Sequence, residues 1–241
     1  MFKRSIQQIR NFHSVYHADV PILDPTKLEV KLLSKAYTDH VPKLGFNEKS
    51  VYEAAKDLKL NPNNLNGLFQ FTTPSKDLSM ELVLYHLRAS RAKLVGYRTE
   101  ANNLANESDR IRFLLKKRLL DNSPVVAHLG KALGLMVMPS NLGCSLEELH
   151  KLSDDVSFYS GDRSNDFAWY SKRFSLSGVF VQSELFMLSD KSDGFEHTVE
   201  FMNDRVDEVD KLAYAYNSFE EWAIFNAHST VNLIKSQIAR G

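Results

Sequence analysis

The sequence predicts an all-α fold of about ten helices, and three observations indicate it. Several stretches repeat apolar residues at the three- and four-residue spacing of one helix face, whereas no stretch alternates polar and apolar residues as a surface strand does. All seven prolines lie at or before Pro139, so no obligatory helix breaker follows that position. The chain has 241 residues and is 43% apolar, which is enough to bury a sizeable core.

Residues 1–18 are predicted to be a mitochondrial presequence that does not belong to the fold. They contain three basic residues and no acidic residue. Their apolar side chains recur at helical spacing opposite the charges, which is the amphipathic pattern of such targeting segments. These side chains are Phe2, Ile6, Ile9 and Phe12. Residues 19–25 contain two prolines and are predicted to be a linker.

Residues 26–75 have the outline of a helix-turn-helix head. The predicted elements are helices at 28–41 and 48–58, a turn at 42–45 and a short third segment at 64–71. This outline leaves a ligand-sensing transcription regulator open as the alternative function. A DNA reader needs Lys or Arg around its recognition helix, however, and residues 60–75 contain no charged side chain. The net charge of the whole chain is also zero, so we predict no nucleic-acid partner.

Residues 76–217 are predicted to form the main helical domain. Four apolar stripes at helical spacing indicate its helices. The stripes are Leu78, Leu82, Tyr85, Ala89 and Ala92; Ile111, Leu114, Leu115 and Leu119; Leu142, Leu146, Leu149, Ser153 and Val156; and Val199, Met202, Val206, Val209 and Ala213. Turn-forming residues at Pro124, Pro139, Gly161 and Gly194 separate the helices.

One helix of this domain carries an unusual face. Asp166, Trp169, Tyr170 and Arg173 fall at i, i+3, i+4 and i+7, so an acid, two large aromatic residues and an arginine share one side. Trp, Tyr and Arg are enriched where proteins anchor to partners. The opposite side is predicted to supply the core contact, through Phe167, Phe174, Val181, Leu185 and Leu188. Spacing alone leaves open whether Trp169 and Tyr170 are surface anchors or core residues.

Residues 218–241 are predicted to form a terminal amphipathic helix. Its apolar arc consists of Phe219, Trp222, Ala223, Ala227, Val231, Leu233, Ile234 and Ile238. A terminal helix with aromatic residues on its apolar side either lies in a membrane interface or folds back onto the core. Spacing alone favours the placement against the core.

The sequence contains no signature of catalysis or of a metal centre, so no catalytic residue, metal or cofactor is predicted. Glu147 and His150 form one Glu-x-x-His step, but a di-iron site needs a second copy and two further glutamates. A metal-dependent oxidase built on His150 is therefore a weaker alternative. Cys144 has no orienting base nearby in the sequence, and we predict a small buried residue there.

Several motifs resemble those of the lipid-binding protein family of mitochondrial ubiquinone biosynthesis, the ninth of the coenzyme Q series. The matching motifs are LHKLSDD at 149–155, Tyr159, Gly161 with Asp162, and DFAWYSKR at 166–173. The closing TVNLIKSQ at 230–237 resembles the fungal members. The resemblance runs from about Leu28 to the C-terminus.

The resemblance implies a fold, a ligand and a partner. The fold is similar to that of the tetracycline-repressor family, with an internal hydrophobic cavity for an isoprenoid quinone or phospholipid. The implied protein has no activity of its own, forms a homodimer and sits peripherally on the matrix side of the inner membrane. Its implied partners are the di-iron demethoxyubiquinone hydroxylase and the ubiquinone-biosynthesis complex.

The resemblance also assigns site residues. Those that match the family's partner-facing patch are Asp154, Asp155, Asp166, Trp169, Tyr170 and Arg173. Those that match its membrane-facing helix are Trp222, Phe225, Leu233 and Ile234. On this basis Trp169 is expected at the surface.

Overall fold

The fold is seen in a computed structural model that describes residues 22–69, 71–72, 76–162 and 167–213. Every regular element in these residues is a helix, which confirms the all-α prediction. The predicted presequence at 1–18 and the predicted terminal helix at 218–241 lie outside the described residues. Five candidate site residues therefore lie outside them as well: Asp166, Trp222, Phe225, Leu233 and Ile234.

The N-terminal segment is built from short helices. The first, α1, spans Leu28–Lys35 and passes through a π-helical turn, Ala36–His40, into α2, Val41–Leu44. Helix α3 spans Glu48–Asp57. Helix α4, Leu65–Leu68, is a single turn that follows a 3-10 turn.

The predicted turn at 42–45 is wrong in its first part, because the chain stays helical to Leu44. Pro42 lies in the first turn of α2, directly after the π-helical turn that ends at His40. The chain turns at Gly45, whose φ of 83° favours glycine. A Cβ atom at this position would lie 3.0 Å from Nδ1 of His128, so the close approach of this side chain also favours glycine.

Seven longer helices follow. They are α5, Leu78–Ala92; α6, Leu94–Asn102; α7, Glu107–Leu120; α8, Val126–Met136; α9, Leu142–Ser160; α10, Phe167–Met187; and α11, Glu196–Ala213. The N-cap side chain Asp77 accepts a hydrogen bond from the Ser79 amide at α5, and Asn106 accepts one from the Asp109 amide at α7. Helix α9 ends at Gly161, whose left-handed conformation, with a φ of 93°, is typical of a helix C-terminus.

The helices enclose two main apolar cores. The first lies among α1 to α3, α5 and part of α8, and includes Leu32, Val51, Met80, Leu84 and Ala132. The second lies among α6, α7, α9, α10 and α11, and includes Leu94, Leu114, Val156, Phe180 and Met202. Burial of these side chains is the main driving force of the fold.

A buried polar cluster around Asn122 joins the two cores. His86 on α5 lies 3.0 Å from the Tyr37 hydroxyl through Nδ1 and 3.0 Å from Oδ1 of Asn122 through Nε2. Asn122 also accepts a hydrogen bond from Arg118 on α7 at 2.8 Å and donates one to Glu184 on α10 at 2.8 Å. The cluster therefore fixes α5, α7 and α10 relative to one another.

The protonation states in this cluster follow from its hydrogen bonds. Burial, and then the positive charge of Arg118, lower the pKa of His86 to about 3, so its ring is neutral. Oδ1 of Asn122 accepts from Arg118, so His86 donates to it through Nε2 and accepts from Tyr37 through Nδ1. Burial raises the pKa of Tyr37 to about 12, so its hydroxyl stays protonated and donates.

Among the residues that the structure describes, no helix has both the length and the apolar composition that crossing a bilayer requires.

Candidate functional site

The candidate site lies at the start of α10, where Trp169 and Arg173 point into the protein. Only 7% of Trp169 and 5% of Arg173 is exposed. The expectation that Trp169 and Arg173 form an exposed face is therefore wrong. The physical reason is the helix register: the buried stripe of α10 runs through positions 169, 173, 176, 180, 183 and 187, which recur at helical spacing.

Arg173 is held from three sides. Its Nε donates to Asp154 at 2.7 Å, and its Nη1 donates to Asp162 at 2.9 Å and to the backbone oxygen of Trp169 at 3.2 Å. Its guanidinium carbon lies 3.9 Å from the centre of the Trp169 ring, which is a close cation–π contact. The side chains of Arg173 and Asp162 are 6% and 3% exposed, so this ion pair is almost fully removed from water.

Lys172 extends the charged network to α7. Its Nζ donates to Asp162 at 3.0 Å and to Glu107 at 2.6 Å. Burial alone would lower the pKa of Lys172, but the hydrogen bonds to Glu107 and Asp162 outweigh burial and raise it. Lys172 therefore keeps its charge, and the network ties the start of α10 to α7 and to the end of α9.

The assignment of Asp155 to an exposed, partner-facing patch is also wrong. The residue is 2% exposed, and its carboxylate accepts a hydrogen bond from Arg91 on α5 at 2.9 Å. Glu148, two helical turns before Asp155 on the same side of α9, pairs with Arg91 at 3.4 Å and with Arg88 at 3.1 Å. Asp155 is thus part of an ion-pair cluster that holds α9 against α5. Its neighbour Asp154, 22% exposed at the side chain, is the residue that faces α10.

The exposed aromatic residues of the site are Tyr170 and Phe174. Each is 46% exposed, and they lie one turn apart on the outer side of α10. Phe174 was predicted to supply a core contact, and this prediction is wrong because the opposite side of α10 carries the buried stripe. The four-residue interval between Tyr170 and Phe174 was the signal in the sequence that pairs them on one face.

The rings around Trp169 connect this surface to α9. The Trp169 and Tyr170 rings meet edge to face with their centres 4.8 Å apart, and the His150 ring lies 6.0 Å from Trp169. Leu142 and Leu146, at successive turns before His150, are 42% and 54% exposed. The prediction that Leu142 and Leu146 lie on a core-facing stripe of α9 is therefore wrong. We define the α9–α10 face as the exposed side chains of Leu142, Leu146, His150, Tyr170 and Phe174.

The arrangement at His150 and Cys144 does not resemble a reaction centre. Within the described residues, no group of three or more His, Cys, Asp or Glu side chains is placed to hold a metal ion. The Cys144 thiol donates to the Asn141 backbone oxygen at 2.9 Å, and burial raises its pKa, so it is not a thiolate nucleophile at neutral pH.

Comparisons with known proteins relate this chain to one protein family, whose model covers α9 to α11. A family model described as COQ9 matches residues 142–213. The chain is 34% identical to the mitochondrial ubiquinone biosynthesis protein COQ9 of Eremothecium gossypii, a match that covers 88% of this chain and 87% of that protein. It is 33% identical to the COQ9 protein of Saccharomyces cerevisiae, with 88% and 85% covered. It is 30% identical to that of Xenopus tropicalis, with 76% and 58% covered.

Proposed function

The chain belongs to the COQ9 family, and from this premise we propose that it is a non-catalytic accessory protein of mitochondrial ubiquinone biosynthesis. The relatives are named as mitochondrial ubiquinone biosynthesis proteins, which supports both the pathway and the compartment. The basic, acid-free residues 1–18 are consistent with import. Within mitochondria, its proposed place is the matrix side of the inner membrane, as a peripheral protein and a homodimer.

The proposed partner is the di-iron hydroxylase that converts demethoxyubiquinone, within the ubiquinone-biosynthesis complex. The observation that carries this proposal is the exposure of Tyr170 and Phe174 on a rigid base. Exposed aromatic side chains bury a large area on binding and lose little conformational freedom, which makes them frequent anchors of interfaces. Two rings alone cover too little area for a specific complex, which takes about 800 Å² on each partner. The leucines at 142 and 146 extend the α9–α10 face toward that size.

The buried charges give this face its rigidity. Arg173 holds Asp154 of α9 and Asp162 of the following loop while it covers the Trp169 ring. Trp169 in turn supports the Tyr170 ring at 4.8 Å. In this proposal Tyr170 and Phe174 contact the hydroxylase, whereas Trp169, Arg173 and Asp154 position them. A preorganised surface binds more tightly because fewer side chains lose freedom on association.

The proposed ligand is an isoprenoid quinone or a phospholipid. A polyprenyl tail gains about 0.8 kcal/mol for each methylene removed from water, so it leaves a bilayer only into another apolar environment. An apolar space between helices of a bundle meets this need. The terminal helix with Trp222, Phe225, Leu233 and Ile234 is the proposed membrane contact, because these residues match the membrane-facing helix of the family and form an apolar arc with aromatic side chains.

The alternative function, a ligand-sensing transcription regulator, receives no support from the head. The segment in the position of a recognition helix, α4, is a single turn of sequence LNGL without a charged residue. A helix that reads the major groove needs several side chains that reach bases and phosphates. Salt-dependent binding to duplex DNA at near-physiological ionic strength would restore this alternative.

The function is tested in cells that lack their own family member. Expression of the full chain is expected to restore ubiquinone, and lipids extracted from the purified chain are expected to contain isoprenoid quinones by mass spectrometry. The Tyr170→Glu variant is expected to accumulate the hydroxylase substrate instead, because the charged side chain opposes docking. Full ubiquinone synthesis by Tyr170→Glu at normal protein level would contradict the docking role.

A further inference from the structure

The outer side of α7 combines two lysines with two apolar side chains. Phe113, Lys116, Lys117 and Leu120 fall at i, i+3, i+4 and i+7, so they share one side of the helix. Lys116 is exposed, and the other three are half-buried. This surface lies opposite the buried stripe of α7, which contains Ile111, Leu114, Leu115, Arg118 and Leu119. We call these four outward residues the α7 crest.

The lysines of the α7 crest form no ion pair among the described residues, whereas Glu107 and Arg112 of the same helix do. Glu107 pairs with Lys172, and Arg112 pairs with Asp109 and with Asp210 of α11. No carboxylate among the described residues forms an ion pair with Lys116 or Lys117. The positive charge at the crest is therefore not neutralised within this part of the chain.

Two aromatic rings hold Lys117 at the surface. Its ammonium nitrogen lies 4.9 Å from the centre of the Tyr97 ring on α6 and 5.3 Å from the centre of the Phe113 ring. The two rings meet edge to face, with centres 6.3 Å apart. A half-buried ring beside a long cationic side chain is the combination found where proteins meet the headgroup level of a membrane.

Helix stability alone does not account for this combination. Cations in the second half of a helix interact favourably with its dipole, which explains Lys116 and Lys117 as charges. The dipole does not account for Leu120 on the same outward side, and Phe113 packs with Tyr97 against the edge of the second core while it stays half-buried. Nucleic acid is also a poorer match, because a stable complex neutralises many phosphates whereas the crest offers two lysines between apolar side chains.

We propose that the α7 crest is a second membrane-binding surface of this chain, which contacts the headgroups of an anionic bilayer. Lys116 and Lys117 contact lipid phosphates and carboxylates, while Phe113 and Leu120 enter the headgroup boundary. The inference rests on the proposed membrane location, but it is independent of the terminal helix. It places α6 and α7 toward the bilayer.

The test is vesicle flotation with the full chain, using vesicles of phosphatidylcholine alone and of phosphatidylcholine mixed with phosphatidylserine. The measured quantity is the ratio of the two affinities. Each lysine near an anionic surface contributes about fivefold at low ionic strength, so Lys116→Gln with Lys117→Gln lowers this ratio by about 25-fold. Added salt reduces the wild-type preference, because salt screens the attraction between surface lysines and anionic headgroups.

The matched control neutralises two exposed lysines that form no ion pair in the described residues. These are Lys131 on α8 and Lys191 after α10. Lys131→Gln with Lys191→Gln changes the net charge equally and is expected to keep the preference within about twofold of the wild type, since these side chains do not share the crest. Far-ultraviolet circular dichroism checks that both double variants keep their helices.

Three results would overturn the proposal: no preference of the wild type for anionic vesicles, an equal loss in both double variants, or stronger binding to duplex DNA than to vesicles. Hydroxylase binding separates this inference from the proposed function. If the chain binds the hydroxylase but shows no preference for anionic vesicles, only the proposal for the α7 crest is contradicted. A chain that prefers anionic vesicles through Lys116 and Lys117 but does not bind the hydroxylase contradicts the docking role alone.

Discussion

The guanidinium carbon of Arg173 lies 3.9 Å from the centre of the Trp169 ring, one turn earlier on the same helix. The guanidinium also donates hydrogen bonds to Asp154 and Asp162. One face of the Trp169 ring is thus covered by a guanidinium group that two carboxylates hold in place. This relationship makes Trp169 a support for the neighbouring Tyr170, and it leads to different predictions for the two aromatic residues.

Replacement of Trp169 by alanine is expected to destabilise the protein by about 3–5 kcal/mol, because it leaves a cavity and removes the ring beneath Arg173. Trp169→Phe keeps an aromatic ring and is expected to cost less than half as much. Urea unfolding followed by circular dichroism measures both changes. A cost of Trp169→Ala within about 0.5 kcal/mol, which is usual for surface positions, would show that the ring is not part of the core.

Replacement of Arg173 by alanine is expected to cost about 3 kcal/mol, because the buried Asp162 loses a charged partner at 2.9 Å. Arg173→Lys restores the charge without the planar fork, and its cost is expected to lie between those of the wild type and alanine. A double-mutant cycle with Asp154→Ala isolates the pair at 2.7 Å. Strict additivity of the two single changes in urea unfolding would refute the coupling.

His86 is expected to make stability depend on pH. Its pKa is about 3 in the folded protein and near 6.5 in the unfolded chain, so only the unfolded chain takes up a proton between these values. The stabilisation is complete above pH 6.5 and is lost as pH falls, by up to about 1.4 kcal/mol per pH unit. Unfolding free energies at a series of pH values are expected to fall less steeply for His86→Gln than for the wild type. Equal slopes of unfolding free energy against pH for the two proteins would mean that the His86 ring is exposed to water in the folded state.

Much of the fold could be predicted from the sequence, because the local spacing of apolar residues indicates where the helices form. The apolar stripes identified α5, α7 and α11 within a few residues of their observed ends. Gly161 was recognised as a break, and it ends α9 in the left-handed conformation. The head was less predictable, because Pro42 starts a helical turn or interrupts one depending on what precedes it.

The orientation of the site could not be predicted, because it depends on contacts between distant residues. Both sides of α10 carry large apolar side chains, so spacing alone does not decide which side is buried. The position of Arg173 follows from Asp154 and Asp162, which lie on α9 and the loop after it. Asp155 turns inward because Arg91, which is 64 residues earlier, meets it on α5. Such pairings become visible only when the helices are assembled.

The central claim is that the α9–α10 face binds the di-iron hydroxylase through Tyr170 and Phe174. The most direct measurement is the dissociation constant of the purified full chain and the hydroxylase for three variants of matched exposure. Tyr170→Glu and Phe174→Glu alter side chains that are 46% exposed, and the control Leu28→Glu on α1 alters one that is 44% exposed. Each of the first two is expected to weaken binding by more than about 30-fold, equivalent to about 2 kcal/mol, with unchanged helicity. The control is expected to bind like the wild type. Equal affinities for all three variants would contradict the account.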